Sequence, residues 1–398
     1  MSGRVILPGQ TLGVMGGGQL GRMFVHAAQQ MGYFTAVLDP DAASPAGLVS
    51  HHHVKTAYTD ALGLARLAAH SAAITTEFEN VPAAALQALA ASRPVAPDAH
   101  AVSIAQDRVQ EKAHFARCGV PCAPYAVIET PQQLAAAADD LLPGILKTSR
   151  MGYDGKGQVR VKTREELAAA WHELKQVACV LEKMLALEAE CSVIVARGQS
   201  GAMVNYPPQL NLHRDGILAV TQVFDGNLPA AIGAEVVKAA KSIAQGLQYV
   251  GVLCVEFFLV GGPAGQTTWV VNEMAPRPHN SGHYTMDACD ASQFDLQVRT
   301  LAGLPLVQPR QHSPAVMLNL LGDLWFDANA VRATASDAAQ EPPWDKVLAL
   351  PGTHLHLYGK LDARKGRKMG HLNVTGPDID KVRATALQAA LLLGIEAF

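Results

Sequence analysis

The sequence predicts an α/β and α+β chain in three parts: a doubly wound amino-terminal domain at 1–105, a central α+β domain at 106–310 and a small β-rich carboxy-terminal domain at 311–398. Three observations carry this. At 398 residues, 49% of them hydrophobic, the chain exceeds the size at which a single core keeps growing. Its first hundred or so residues alternate short apolar strands with alanine-rich helical stretches, the rhythm of βαβ units. Beyond Ala105 this gives way to glycine-rich loops and strands with frequent turns, as in antiparallel sheets.

In order, "TLGVMG" reads as a strand, Gln19 to Met31 as a helix, and "FTAVLD" and "AAITTEFE" as further strands. The charged helix "QDRVQEKAHFARCG" leads into the strand "GILKTS". "VLCVEFFLV" and "TWVVNEMA" form a hairpin around "GGPAGQ", and "AVMLNLLG", "HLHLYG" and "MGHLNV" are short strands before a closing helix from Ile379. A net charge of −3 argues against a globally nucleic-acid-binding or disordered chain, so any phosphate site is local. The longest apolar run, "YVGVLCVEFFLV", is too short for a bilayer and is broken by Glu256. With no signal-like amino terminus, a cytoplasmic location is expected. The six cysteines show neither CxxC pairing nor the density of a disulfide scaffold and are expected to be reduced.

Three motifs carry chemistry. "GVMGGGQLGRM" follows a strand, opens a helix and has Asp39 at the end of the next strand. That meets most of a dinucleotide fingerprint, although a glycine-rich turn offers its N–H groups to any anion. "GILKTSRMGYDGKGQ" places Lys147 at a strand end before a loop with Gly152, Gly155 and Gly157. Such a flap can cover phosphates above a fixed lysine, and it lacks the spacing of a P-loop; the plainer alternative is a solvated hairpin turn. In the third, Glu256 points as a core residue would. Symmetric closure of the hairpin sets it opposite Val271, with Glu273 a diagonal neighbour about 7–8 Å away. Two carboxylates beside Asn272 can hold hard divalent cations that also grip phosphate oxygens; the alternative is an ion pair, with Arg277 the candidate partner. The stretch "NEMAPRPHNSGHY" that follows sets an arginine and two histidines on proline-stiffened backbone, a design for holding something charged.

Together "GGGQLGRM", "EFENVP", "QDRVQEK", "GYDGKGQ", "VLEKMLALEAECSVIVARG", "EMAPRPHNSGH" and "KMGHLNV" make the whole chain resemble the ATP-grasp superfamily, and within it the 5-(carboxyamino)imidazole ribonucleotide synthases. The resemblance implies a pre-ATP-grasp domain, an ATP-grasp clamp and a small domain packed back on it. It implies ATP between the clamp's lobes, with Arg108 and Lys147 on the phosphates and Gly152, Tyr153, Asp154, Gly155, Lys156, Gly157 and Gln158 as the flap over them. Glu182, Lys183, Met184 and Leu185 would line the adenine, with Glu190 on the ribose, His213 nearby, and Glu256 and Glu273 holding Mg²⁺ with help from Asn272. Gln19, Leu20, Glu77, His279 and Asn280 would meet the ribonucleotide. Lys360, Arg367 and Lys368 would cradle its phosphate, within a basic run whose Arg364 and Lys365 can equally be solvated.

The implied reaction is ATP- and bicarbonate-dependent carboxylation of the 5-amine of aminoimidazole ribonucleotide through carboxyphosphate, in purine biosynthesis. Arg277 would hold the bicarbonate or its phosphorylated form, and Asp154 would take the amine proton with Tyr153 orienting it. The partners expected are ATP, bicarbonate, the ribonucleotide and a second copy of the chain. A formate-dependent glycinamide ribonucleotide transformylase shares the clamp logic. A nicotinamide dehydrogenase would use Asp39 and the first glycine turn but leaves Lys147, Glu256, Glu273 and the basic run without a role. The run His51–His53 is incidental, since consecutive side chains do not converge on one ion.

Overall fold

Parallel pairing organises the amino-terminal domain. In the computed structural model, which describes residues 5–152, 157–261, 266–326 and 340–398, β1 (Thr11–Met15), β2 (Phe34–Leu38), β3 (His52–Val54) and β4 (Ala73–Thr76) run in the order β3-β2-β1-β4. Helices cover both faces of this sheet, so its central strands are buried beyond their first residues and read as near-continuous apolar runs.

The first lobe of the clamp is a small antiparallel sheet of β5 (Tyr125–Ile128), β6 (Gly144–Thr148), β7 (Gln158–Val161) and β8 (Cys179–Lys183), in the order β5-β8-β6-β7. Leu167, Ala170 and Trp171 of helix Arg164–Glu173 pack with Leu146 and Leu181 on one face. The second lobe contains β9 (Leu187–Arg197), β10 (Met203–Asn205), β11 (Gln209–Arg214), β12 (Ile217–Val223), β13 (Gly251–Gly261) and β14 (Thr267–Ala275). The carboxy-terminal strands β15 (Ala315–Leu321), β16 (Thr353–Leu357) and β17 (Lys368–Thr375) continue the same sheet. β12 pairs with β15, giving one nine-stranded sheet in the order β14-β13-β9-β11-β12-β15-β17-β16, with β10 on β9. The third domain is thus fused to the clamp by backbone hydrogen bonds.

Helix Gln293–Ala302 buries Phe294, Val298 and Leu301 with Phe24 and Val25 of helix Gln19–Gln30. Ser292 and Asp295 cap its start reciprocally, and Gly303 ends it in the left-handed region at φ 69°. It joins the amino-terminal domain to the clamp.

The carboxylate hairpin forms, but in a register the sequence reading missed. Glu256 stands opposite Glu273 rather than Val271, because a bulge leaves Asn272 as the extra residue of β14. The two carboxylates are therefore directly paired across the strands instead of diagonal. All six cysteines are unpaired, and among the described residues no helix is long and apolar enough to cross a membrane.

Gly322, at the end of β15, fixes the loop that carries the basic run. Its N–H donates to the Arg367 carbonyl at 2.7 Å, and a Cβ there would lie 2.1 Å from the Arg364 carbonyl oxygen. Gly322→Ala is expected to cost about 1–3 kcal/mol by forcing two backbones apart. Urea unfolding of the variant beside the wild type checks this, and equal midpoints would contradict it.

Candidate active site

The three domains meet around a cavity of about 1110 Å³. Lys147, at the end of β6, reaches its wall. Its Nζ lies 2.8 Å from Glu182 Oε2, and the other oxygen of Glu182 takes Lys112 Nζ at 3.0 Å. Burial alone would raise the Glu182 carboxyl, but the two lysines hold it down at about 2. Helix Arg108–Arg117 is locked beside this strand. Its N-cap Asp107 accepts from the N–H groups of Val109 and Gln110 and from Ser149 Oγ at 2.8 Å, while Arg108 N donates to the Ser149 carbonyl.

Arg108 Nη1 stands 3.1 Å from Glu273 Oε2, across from Glu256. Burial, then the neighbouring Glu273, push Glu256 up to about 7. Glu111, one helical turn from Arg108, accepts from Met274 N at 2.7 Å and is raised to about 8, by burial first and Glu273 second. Glu256 Oε1 and Asn272 Oδ1 are buried oxygens with no hydrogen-bond partner. Acceptor oxygens left open beside a second carboxylate suit a hard divalent cation. Among the described residues no group of three histidine, cysteine or acidic side chains forms a closed metal cage, so any ion here would complete its shell with phosphate or water oxygens.

Next to this pair, the Arg277 guanidinium binds Glu79, a partner from the amino-terminal domain. The sequence reading offered Arg277 to the hairpin carboxylates; the structure gives it Glu79 and gives Glu273 to Arg108. His279 caps its own turn, its Nδ1 accepting from Ser281 N at 3.4 Å, so the ring proton sits on Nε2, which faces Glu256 Oε1 at 3.8 Å. Burial, then Arg277, hold His279 well below the usual range, so it is a neutral donor. Both side-chain polar atoms of buried Asn280 lack partners. The same cavity is lined by Lys360, Arg367 and Lys368. Burial, then Arg367, bring Lys360 down to about 8, and its Nζ donates to the Lys368 carbonyl.

The cavity thus brings together Gln19, Leu20 and Glu77, the clamp residues Arg108, Lys147, Gly152, Gln158, Glu190 and His213, the hairpin carboxylates with Asn272, the Arg277–Asn280 segment and the basic wall. His213 Nδ1 is 2.7 Å from Glu190 Oε2; burial lowers its pKa, but this contact and the nearby carboxylates raise it overall. Gly157 lies beside Thr148, Glu182 lies beneath the wall, Lys183 ends β8, and Met184 and Leu185 follow in the turn to β9, all three outside the cavity lining. Tyr153, Asp154, Gly155 and Lys156 lie outside the described residues. Sequence reasoning missed Glu79, Glu111 and Lys112. For two of them a signal existed: Glu111 and Lys112 follow Arg108 by three and four residues and so share its helical face.

The first glycine turn is filled by the chain itself. Glu77 accepts from Gly18 N at 2.8 Å and Gly21 N at 3.0 Å, where a pyrophosphate would sit, and Asp39 is taken by Gly17 N and Tyr58 Oη. The dinucleotide reading fails on this geometry. The three histidines at 51–53 likewise go separate ways: His51 to Thr35, His52 stacked on His70, and His53 to the Asp39 carbonyl.

A two-lobed antiparallel clamp over a cavity with a strand lysine and an acidic hairpin defines an ATP-grasp ligase. Family models agree: a ribonucleotide synthetase preATP-grasp domain matches residues 9–106, an ATP-grasp domain 113–294, and a phosphoribosylaminoimidazole carboxylase C-terminal domain 315–385. The N5-carboxyaminoimidazole ribonucleotide synthase of Brucella melitensis is 42% identical over 377 residues, which are 93% of this chain and 97% of that protein. Crystal structures of the N5-carboxyaminoimidazole synthetase of Staphylococcus aureus with ADP and the synthase of Aspergillus clavatus with ADP and 5-aminoimidazole ribonucleotide superpose with TM-scores of 0.86 and 0.84. Their identities are 34% and 29%, over 98% and 97% of this chain and 99% and 98% of theirs. The chain belongs to the N5-carboxyaminoimidazole ribonucleotide synthase family.

His283, which lines the cavity, His371 and His356 form a row with ring centroids 4.6 Å apart at each step, His356 bonding Asp287 at 2.8 Å. Burial, then His279, His356, Lys368 and Arg277, hold His283 well below its ordinary range. Burial, His283 and His356 do the same to His371 against a weaker pull from Asp287. Both stay neutral when folded, whereas the unfolded chain takes up their protons near pH 6.5. Stability is therefore full above that pH and lost as pH falls below it, with a slope approaching about 1.4 kcal/mol per pH unit for each. Urea unfolding between about pH 7.5 and 5.5 should show this slope, and His371→Gln should remove one proton's share; a flat profile would contradict it.

Proposed function

We propose that the protein carboxylates the exocyclic 5-amine of 5-aminoimidazole ribonucleotide at the expense of ATP and bicarbonate, giving 5-(carboxyamino)imidazole ribonucleotide, ADP and phosphate in purine biosynthesis. One observation carries the reading: the acidic hairpin with its strand lysine and the basic wall of Lys360, Arg367 and Lys368 line a single cavity, with Arg277 and His279 there as well. A triphosphate and a phosphorylated ribonucleotide need those two ends, and a small anion suits the groups shared by both.

Bicarbonate is a poor electrophile, and phosphorylation to carboxyphosphate makes it able to deliver carbon dioxide to a weakly nucleophilic amine. Phosphoryl transfer asks the protein mainly for positioning and charge neutralisation. Lys147 and Arg108 would face the phosphates, and Glu190 the ribose. Glu256 and Glu273, with Asn272, would hold Mg²⁺, which when bound neutralises phosphate charge. Arg277, kept charged by Glu79, would hold bicarbonate, with the His279 Nε2–H and the open amide of Asn280 donating alongside. Glu77 and the basic wall would orient the ribonucleotide. Asp154 is the candidate for the amine proton, with Tyr153 orienting it. Cytoplasmic assembly as a homodimer belongs to the same reading, and sedimentation of the purified chain tests the assembly.

Phosphate release from ATP and Mg²⁺ should rise on adding bicarbonate and aminoimidazole ribonucleotide, with carboxylated product formed in step. Stimulation by formate and glycinamide ribonucleotide instead would overturn the substrate. Glu273→Gln should lower this turnover by more than about 100-fold. Asp154→Asn should lose on the order of 10²–10⁴ in kcat, and full turnover by that variant would remove the base assignment.

A further inference from the structure

Lys112 has no place in the scheme above, yet it is among the most buried charged residues of the chain, at 1% exposure. It lies one helical turn after Arg108 and outside the cavity lining. Its Nζ stands 3.0 Å from Glu182 Oε1 and 5.3 Å from the centre of the Tyr125 ring. A lysine is not retained in such a place unless its charge is answered, and Glu182 answers it. Glu182 is itself buried in β8, between Tyr125 of β5 and Ile145 of β6, and its second oxygen accepts from Lys147.

We propose that Lys112 is a positioning residue for nucleotide binding: by taking one oxygen of Glu182, it leaves that carboxylate able to orient Lys147 without cancelling the positive charge Lys147 presents to the cavity. The proposal rests on the reading that Lys147 meets nucleotide phosphates. Without Lys112, Glu182 and Lys147 would form a closed neutral pair, and a phosphate would compete with the whole carboxylate for one ammonium. With it, two cations share one anion, and the surplus charge appears at Lys147, the only one of the three that lines the cavity. Sharing also fixes geometry. Lys112 ties helix Arg108–Arg117 to β8, and Glu182 ties β8 to β6, so the two cations expected at the phosphates, Arg108 and Lys147, are held in one frame. The depressed Glu182 carboxyl is consistent with a group that stays ionised between them.

The test compares Lys112→Met and Glu182→Gln, alone and combined, by calorimetric titration with ATP and Mg²⁺, by kcat and by KM for each substrate, with Tm recorded for every variant. Lys112→Met is expected to weaken ATP binding and kcat/KM for ATP on the order of 10- to 100-fold, as loss of a partner that orients a ligand-holding group does. KM for bicarbonate and for the ribonucleotide should stay within about twofold. In the Glu182→Gln background the same change should add little, because Lys112 acts only through that carboxylate. Lys112→Arg, which keeps the charge, should recover part of the loss. A lowered Tm with unchanged KM for ATP would mean a purely structural lysine and overturn the proposal; so would losses that multiply in the double variant. If Lys112→Met does not fold, Lys112→Gln carries the same expectations, and an unchanged KM for ATP there overturns the proposal. Absence of saturable ATP binding by the wild-type chain would overturn the nucleotide reading itself, whereas wild-type binding with an indifferent Lys112→Met removes only the role of Lys112.

Discussion

The ion pairs around the cavity join parts of the chain that lie far apart in sequence: Arg277 with Glu79, Arg108 with Glu273, and Lys147 and Lys112 with Glu182. Each takes charge out of bulk water, and each is tolerable only because a partner arrives from another element. The fold can be understood as the scaffold that delivers these partners. A parallel sheet ends at Glu77 and Glu79, a capped helix starts at Arg108 and carries Lys112, and a nine-stranded sheet presents the acidic hairpin on one side and the basic wall on the other. Loss of a partner would leave its counter-charge unanswered, and at Arg277–Glu79 it would also loosen the contact between the amino-terminal domain and the clamp.

Around those pairs the cavity holds polar atoms with nothing to bond: Glu256 Oε1, Asn272 Oδ1 and both polar ends of Asn280. Native interiors rarely leave such atoms open. Here they sit where charged ligands would complete them, so the cost of desolvation is incurred in folding and not again when the ligand binds. His279 fits the same pattern. Its tautomer is set by a backbone N–H, and its neutrality is set by burial beside Arg277, so it offers a donor without bringing a second positive charge.

Much of this was legible in the sequence, and the exceptions have physical reasons. Period-2 alternation and the "GGPAGQ" turn identified the acidic hairpin, and the switch from βαβ rhythm to antiparallel strands located the clamp. The register was not legible, because a bulge is a one-residue event with no compositional trace; Asn272 looks like any strand residue until its neighbours are seen. Continuity of the sheet through β15 was equally hidden, since pairing between β12 and β15 spans a long stretch of chain. Lys112 was missed for another reason. Charged residues on a helix are usually solvated, and only the tertiary approach of Glu182 shows that this one is not.

The first glycine turn shows how one local pattern can serve two purposes. Its helix start offers free N–H groups, and in a dinucleotide enzyme a phosphate would take them. Here a carboxylate from the neighbouring strand takes them, and the glycines are needed for its approach: a Cβ on Gly18 would lie 2.6 Å from Glu77 Oε1. Filling the turn internally fixes Glu77 at the edge of the cavity, near Lys360. A phosphate is excluded from the glycine turn by that carboxylate. The same glutamate therefore closes the glycine turn to a dinucleotide while it lines the cavity.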